Sequence, residues 1–203
     1  KRDGKVYAMS FADGHKTSDL AEVGEVGKRN TGTTIHFWPD AQYFDSHQFS
    51  VSKLKHTLKA KAVLCPGLAV SFTHEGKNTC DKWCYEKGLT EYLDQSLTGY
   101  ETVLGEHFCG EQATEQEAVS WAINWLPGVG ELLAESYVNL IPTALGGTHL
   151  NGMRQGLLDA VREFCELRSL LPRGLKLTTD DVFESAHYVL SVKLQDPQFS
   201  GQT

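Results

Sequence analysis

Polar and apolar residues alternate with a period of two over residues 5–11 and again over 20–26, the spacing of half-buried strands, with the turn pair Asp13-Gly14 between them. Residues 32–38 predict a third strand, ended by Pro39. These three make a meander, which needs further strands or a helical cover to be stable. After Asp40 the period becomes helical. Ser50 caps a helix running to Leu64, and Pro66-Gly67 ends it. Residues 68–73 and 79–85 predict a hairpin around Glu75-Gly-Lys-Asn78, followed by a short helix over 89–97 and strands near 106–109, 117–126 and 136–140. A long helix over 148–168 comes next, then Pro172-Arg-Gly174, a capped helical turn over 178–185 and a final strand over 187–194. The order predicts an α+β architecture, mostly antiparallel, with the helices on one side of the sheet.

The long helix carries an anomaly. At about 100° per residue, Leu150, Met153, Leu157, Leu158, Val161, Phe164 and Cys165 share one face, while Gln155, Asp159, Arg162, Glu163 and Glu166 share the other. Arg154 projects between Leu150 and Leu158, on the apolar face and close to the positive end of the helix dipole. Either it snorkels over the edge of the core toward a carboxylate, or it lines a cavity and faces an anion. The glycine pair Gly146-Gly147 just before the helix allows close backbone approach.

Composition narrows the picture. The chain has 203 residues, 40% of them hydrophobic, enough for a real core in one domain or two. No apolar run approaches the roughly 20 residues of a membrane helix. Five cysteines at irregular spacing predict free thiols, a reducing compartment and a cytoplasmic address, with no membrane partner. A net charge of −7 disfavours a surface that grips nucleic acid everywhere, but a local basic groove is compatible with it. Lys53, Lys55, Lys59 and Lys61 predict a solvated helix face, with polyanion contact as the alternative.

Other clusters have plainer readings. His74, Cys80 and Cys84 supply three of the four ligands a structural zinc needs, so buried thiols are preferred. Gly24-Glu-Val-Gly-Lys-Arg29 lacks the glycine spacing and the hydroxyl residue of a phosphate loop. Asp180 and Asp181 stand where helix caps belong. No nucleophile–base motif of known local form is present, and the residues taken alone define no self-contained active site.

Several blocks in order carry a resemblance: Lys28-Arg-Asn-Thr-Gly-Thr-Thr-Ile-His-Phe-Trp-Pro-Asp40, Leu58-Lys-Ala-Lys-Ala-Val-Leu-Cys-Pro-Gly67, Tyr137-Val-Asn-Leu-Ile-Pro142, Gly146-Gly-Thr-His-Leu-Asn-Gly152 and Asp196-Pro-Gln-Phe-Ser-Gly-Gln-Thr203. The chain resembles the ATPase subunits of bacterial type IIA topoisomerases over essentially its whole length. The topoisomerase IV B-subunit is favoured by the run from Arg154 to Cys165, and the gyrase B-subunit is the alternative.

The resemblance implies that residues 1–40 are the last strands of a GHKL nucleotide-binding domain. Residues 41–203 would be most of a transducer domain with a left-handed β-α-β crossover. Gly32 and Thr33 would lie by the adenine, Arg2 at the edge of the coumarin-inhibitor pocket, and Gln202 on a loop reaching the γ-phosphate. Arg154 would line the cavity through which DNA passes. The implied parent binds ATP and Mg2+, pairs with the topoisomerase IV A-subunit and dimerises when ATP is bound. The family's catalytic glutamate, magnesium-binding asparagine and glycine-rich lid have no counterpart in this chain. No catalytic or metal-binding residue is therefore expected in it, and alone it is expected neither to hydrolyse ATP nor to hold it firmly. A rival from another class is a non-enzymatic RNA-binding module, since the transducer fold also occurs in translation proteins. Interleaved aromatic and basic residues on one sheet would favour that rival, and they are not evident.

Overall fold

Adjacent apolar residues such as Ala122-Ile123 and Val189-Leu190 send side chains to opposite faces of a strand, so a sheet built from them must be covered on both sides. The computed structural model describes every residue except 45, 47, 129–132, 173 and 200–203. It divides into two compact units, Lys1–Phe49 and Ser50–Thr203.

In the first unit, β1 (Lys5–Ala8) pairs antiparallel with β4 (Ala21–Glu25), and β2 (Phe11–Ala12) pairs with β3 (His15–Lys16). Asp13 and Gly14 turn that inner hairpin with φ of 50° and 76°, the positive values that a tight two-residue hairpin turn requires. The third strand expected over 32–38 is not formed. Its residues alternate suitably but meet no neighbouring strand among the described residues, and Ile35 and Trp38 are 79% and 77% exposed. No described residue of this unit is buried.

The second unit opens with α1 (Val51–Leu64), whose cap Ser50 accepts from the Lys53 amide. The hairpin β5 (Val70–His74) and β6 (Thr79–Trp83) follows in full antiparallel register, and then α2 (Leu89–Ser96). The main sheet has the order β10-β9-β11-β8-β7. Its strands are β7 (Phe108–Ala113), β8 (Glu117–Trp125), β9 (Ala134–Val138), β10 (Ile141–Pro142) and β11 (Ala186–Leu194). Between β10 and β11 lie α3 (Thr148–Leu167) and α4 (Thr179–Phe183). Since β9 and β11 are parallel neighbours, α3 belongs to a crossover connection, while the other pairs in this sheet are antiparallel.

The helices lie on both faces, which corrects the one-sided expectation. Ala122 and Val189 pack with Val63 of α1, Leu93 of α2 and Leu97 just after α2, whereas Ile123 packs with Leu158 of α3 and Val182 and Phe183 of α4. Val138 and Leu190 form a further cluster with Leu150 and Met153 beside them. The apolar face of α3 fades toward its end, where Phe164 is 54% exposed.

The helical turn α4 is held by a reciprocal capping box: the Asp181 amide donates to Thr178 Oγ1, and the Thr178 amide donates to the Asp181 carboxylate. Replacing Thr178 with alanine should cost about 1 kcal/mol of stability, read from the urea midpoint. Hydrogen bonds from the Thr178 hydroxyl and amide hold the Asp181 carboxyl below its ordinary value. Its contribution is therefore present above the usual carboxylate range and is lost as pH falls through the lowered value. The Thr178→Ala chain should show a weaker acid dependence in the same titration.

Candidate functional site

The start of α3 explains the glycine pair before it. Gly146 has φ of 73° and Gly147 has φ of 151°, both in the region that side chains rarely adopt. A Cβ on Gly147 would also lie 2.9 Å from the His149 ring. His149 Nε2 lies 3.0 Å from Thr143 Oγ1, which donates to the Ser136 carbonyl at 2.8 Å, so the helix start is tied to β9. Burial pushes the His149 imidazole below its ordinary value.

Arg154 sits in the second turn among Met153, Leu157 and Leu158, with its guanidinium carbon 5.1 Å from the centroid of the Phe183 ring. Its Nε is buried and has no hydrogen-bond partner among the described residues. Among the described residues no carboxylate pairs with it. Of the two sequence readings, the snorkel toward a carboxylate therefore lacks its carboxylate. An aromatic face holds the cation by its ring quadrupole without neutralising it, and leaves the guanidinium able to meet an anion.

The remaining predicted site residues lie in the first unit or outside the described residues. Arg2 is exposed and 3.5 Å from the Asp3 carboxylate. Gly32 and Thr33 are exposed as well, and the Gly32 amide donates to the Lys1 carbonyl at 3.1 Å, while its carbonyl accepts from the Lys1 α-amino group at 2.9 Å. That exchange brings the segment next to Arg2 against Gly32. Gln202 lies outside the described residues.

Lys53 is exposed, as the solvated-face reading expects, but the other three lysines of α1 depart from it. Lys55 pairs with Asp81 at 2.7 Å, Lys59 Nζ sits 4.7 Å from the centroid of Tyr92, and Lys61 donates to the Leu140 carbonyl. Tyr92 and Tyr137 donate to the two oxygens of Glu135 at 3.3 and 2.7 Å. Burial, the Glu135 charge and these hydrogen bonds raise both phenols above their ordinary values. Lys55, Lys59 and Lys61 are thus engaged within the fold, which leaves Lys53 as the exposed lysine of the four.

The five cysteines are free, but Cys80, Cys84 and Cys109 are exposed rather than buried. His74 caps the turn at 75–77 by accepting from the Lys77 amide, and the Cys84 thiol donates to Glu86. The hairpin places these groups in ordinary polar contacts. Two features escaped the sequence reading. Phe183, the stacking partner of Arg154, could have been suspected only from the fold. Ser120 and Ser191 interrupt the apolar strands β8 and β11 and stand directly opposite each other in register, a signal visible once the pairing is known.

The family model described as DNA gyrase B matches residues 88–203. Over 203 residues the chain is 59% identical to the DNA topoisomerase 4 B-subunit of Escherichia coli, and over 205 residues it is 62% identical to that of Pseudomonas aeruginosa. It spans 32% of the length of each, and each match takes in the whole of this chain. The solved topoisomerase IV ATP-binding domain of Francisella tularensis, in complex with a small-molecule inhibitor, superposes with a TM-score of 0.79 at 40% identity. That superposition covers 100% of this chain and 55% of the other.

Proposed function

Because the chain belongs to the DNA gyrase B family, we propose that it is a piece of the B-subunit of a topoisomerase IV, part of the ATP-driven gate that couples ATP binding and hydrolysis to DNA strand passage, decatenation and relaxation. The observation that carries this reading is the 59% identity to the Escherichia coli topoisomerase 4 B-subunit, extending over the full chain. Residues 41–203 are read as most of a transducer domain whose crossover through α3 is left-handed, and residues 1–40 as the closing strands of a GHKL sheet. The parent works in the cytoplasm, binds ATP and Mg2+, assembles with the A-subunit of the same enzyme and dimerises around DNA. No described helix is long and apolar enough to cross a membrane.

Each site residue has one role in this reading. Gly32 and Thr33 present backbone and hydroxyl to the adenine, and Arg2 borders the inhibitor pocket. Gln202 senses the γ-phosphate, and its contact, present with ATP and absent with ADP, biases the transducer between two positions. Arg154 meets the DNA backbone, which positions a duplex without reading its sequence. General-base activation of water and charge neutralisation by Mg2+ are assigned to residues of the parent outside this chain.

In the parent protein, Gln202→Ala should slow ATP-driven closure about tenfold or more while leaving nucleotide affinity within about threefold, as expected when one state loses about 1.4 kcal/mol. Unchanged closure kinetics would remove the sensor role. The decisive assay for the whole reading compares ATP hydrolysis by residues 1–203 with hydrolysis by the parent protein. Turnover confined to the parent is expected, whereas turnover by the short chain would require an active site of its own. Supercoiling instead of decatenation by the reconstituted enzyme would point to gyrase.

A further inference from the structure

A cleft of about 330 Å3 lies in the second unit, away from Arg154, between the first turn of α2 and the face of the main sheet that α1 and α2 cover in part. Its floor is the register row Glu111, Ser120 and Ser191, contributed by three neighbouring strands, with Lys193 two residues further along β11. Its wall is the start of α2, where Lys87 precedes the cap residue Gly88. Val63, Leu64 and Pro66 supply an apolar side.

Two independent features point to an anion. First, α2 begins on a glycine that offers no side-chain cap to the first amides of the helix. Gly88 has φ of 54°, and a Cβ there would meet Pro66 Cγ at 3.0 Å and the Val63 carbonyl at 3.3 Å. A capping serine or aspartate would be strained there, and the first amides of α2 have no side-chain cap. The first-turn carboxylate of Glu91 accepts from the Lys87 amide, one residue before the cap, and leaves the amides of the helix itself unused. Second, Ser191 is 4% exposed, lines the cleft and makes no hydrogen bond through its hydroxyl to any described residue. The hydroxyl therefore faces the cleft with its donor uncommitted, able to bond whatever occupies it. Lys87 and Lys193 line the cleft beside one lining carboxylate, that of exposed Glu111, while the Glu91 carboxylate in the first turn of α2 is engaged by the Lys87 amide.

We propose that this cleft binds a small phosphate-type oxyanion, which accepts from Ser191 Oγ, Ser120 Oγ and the amides at the start of α2 and pairs with Lys87 and Lys193. The apolar side leaves room for a compact organic substituent on the anion. The same chemistry is offered by a free phosphate compound and by a backbone phosphate of a polynucleotide. This inference is independent of the role assigned to Arg154, which lies on the opposite side of the sheet.

The test is equilibrium dialysis of the parent protein against radiolabelled inorganic phosphate at fixed ionic strength. Lys87→Gln/Lys193→Gln and Ser191→Ala are compared with the unaltered protein, and far-UV circular dichroism confirms the fold of each. The two lysines are exposed and the serine change removes one small group, so neither variant attacks the core. A saturable phosphate site weakened at least tenfold in both variants is expected. Absence of saturable binding, or binding unchanged in both variants, overturns the proposal. A short DNA duplex added to the bound state separates the sources: displacement identifies a backbone phosphate as the ligand, and retention identifies a free oxyanion.

Discussion

Arg154→Gln in the parent protein is expected to lower DNA-stimulated ATP turnover about tenfold while leaving turnover without DNA within about twofold, corresponding to roughly 1.4 kcal/mol of lost DNA coupling. The guanidinium rests on Phe183 and lacks a carboxylate among the described residues, so its charge is available to a phosphate and contributes little to the fold by ion pairing. Each lost phosphate contact should also reduce the slope of log affinity against log salt by about 0.9. Glutamine keeps a polar head and most of the stem, so the packing against Met153 and Leu157 should survive. If both turnover rates fell together, Arg154 would be a structural arginine and the DNA role would be wrong.

A second large effect is expected at Asn124. This side chain is fully buried on β8, accepts from the amides of Leu104 and Trp125 at 3.2 and 2.8 Å, and donates to the Leu104 carbonyl at 3.1 Å and to His107 Nδ1 at 2.8 Å. An acceptor Nδ1 requires the proton on Nε2, which lies 2.8 Å from the Asp94 carboxylate on α2. One amide therefore ties the loop over 101–107 to the sheet, with the His107 ring beside α2. Asn124→Ala would strand the amide of half-buried Leu104 and leave its carbonyl to the Thr102 hydroxyl alone, and a loss of about 2 kcal/mol is expected in chemical denaturation. A loss below about 0.5 kcal/mol would mean that the loop finds other partners easily, and that Asn124 does not hold it to the sheet.

What could be read from the sequence was local. Ser50 and Thr178 announced α1 and α4 because a capping hydroxyl acts within three residues, and the 3.6-residue spacing from Leu150 onward announced α3 together with its misplaced cation. The errors arose where the outcome depends on distant partners. Residues 32–38 have strand-like alternation, yet pairing needs a neighbour, and alternation says nothing about one. The parallel contact of β9 with β11 joins segments about 50 residues apart, and the two-sided cover follows from it, since adjacent apolar pairs such as Val189-Leu190 become informative only once their strand is known to be central. Arg154 stood out because a single residue broke its own helix pattern. The phosphate cleft was hidden because its groups come from three strands and a helix end.

The strand order also bears on synthesis of the chain. β11 is the last strand of its sheet to be made, yet it lies in the middle, with β8 on one side and β9 on the other. Until residue 194 has left the ribosome, the β7–β8 and β9–β10 hairpins have no common edge to join. Ile123 and Val138 then wait with their backbones unpaired on the side that β11 will fill. A nascent chain stalled before β11 is therefore exposed at two open strand edges, the condition under which chaperone capture or edge-to-edge association competes with folding. Closure of the whole sheet becomes a single late event.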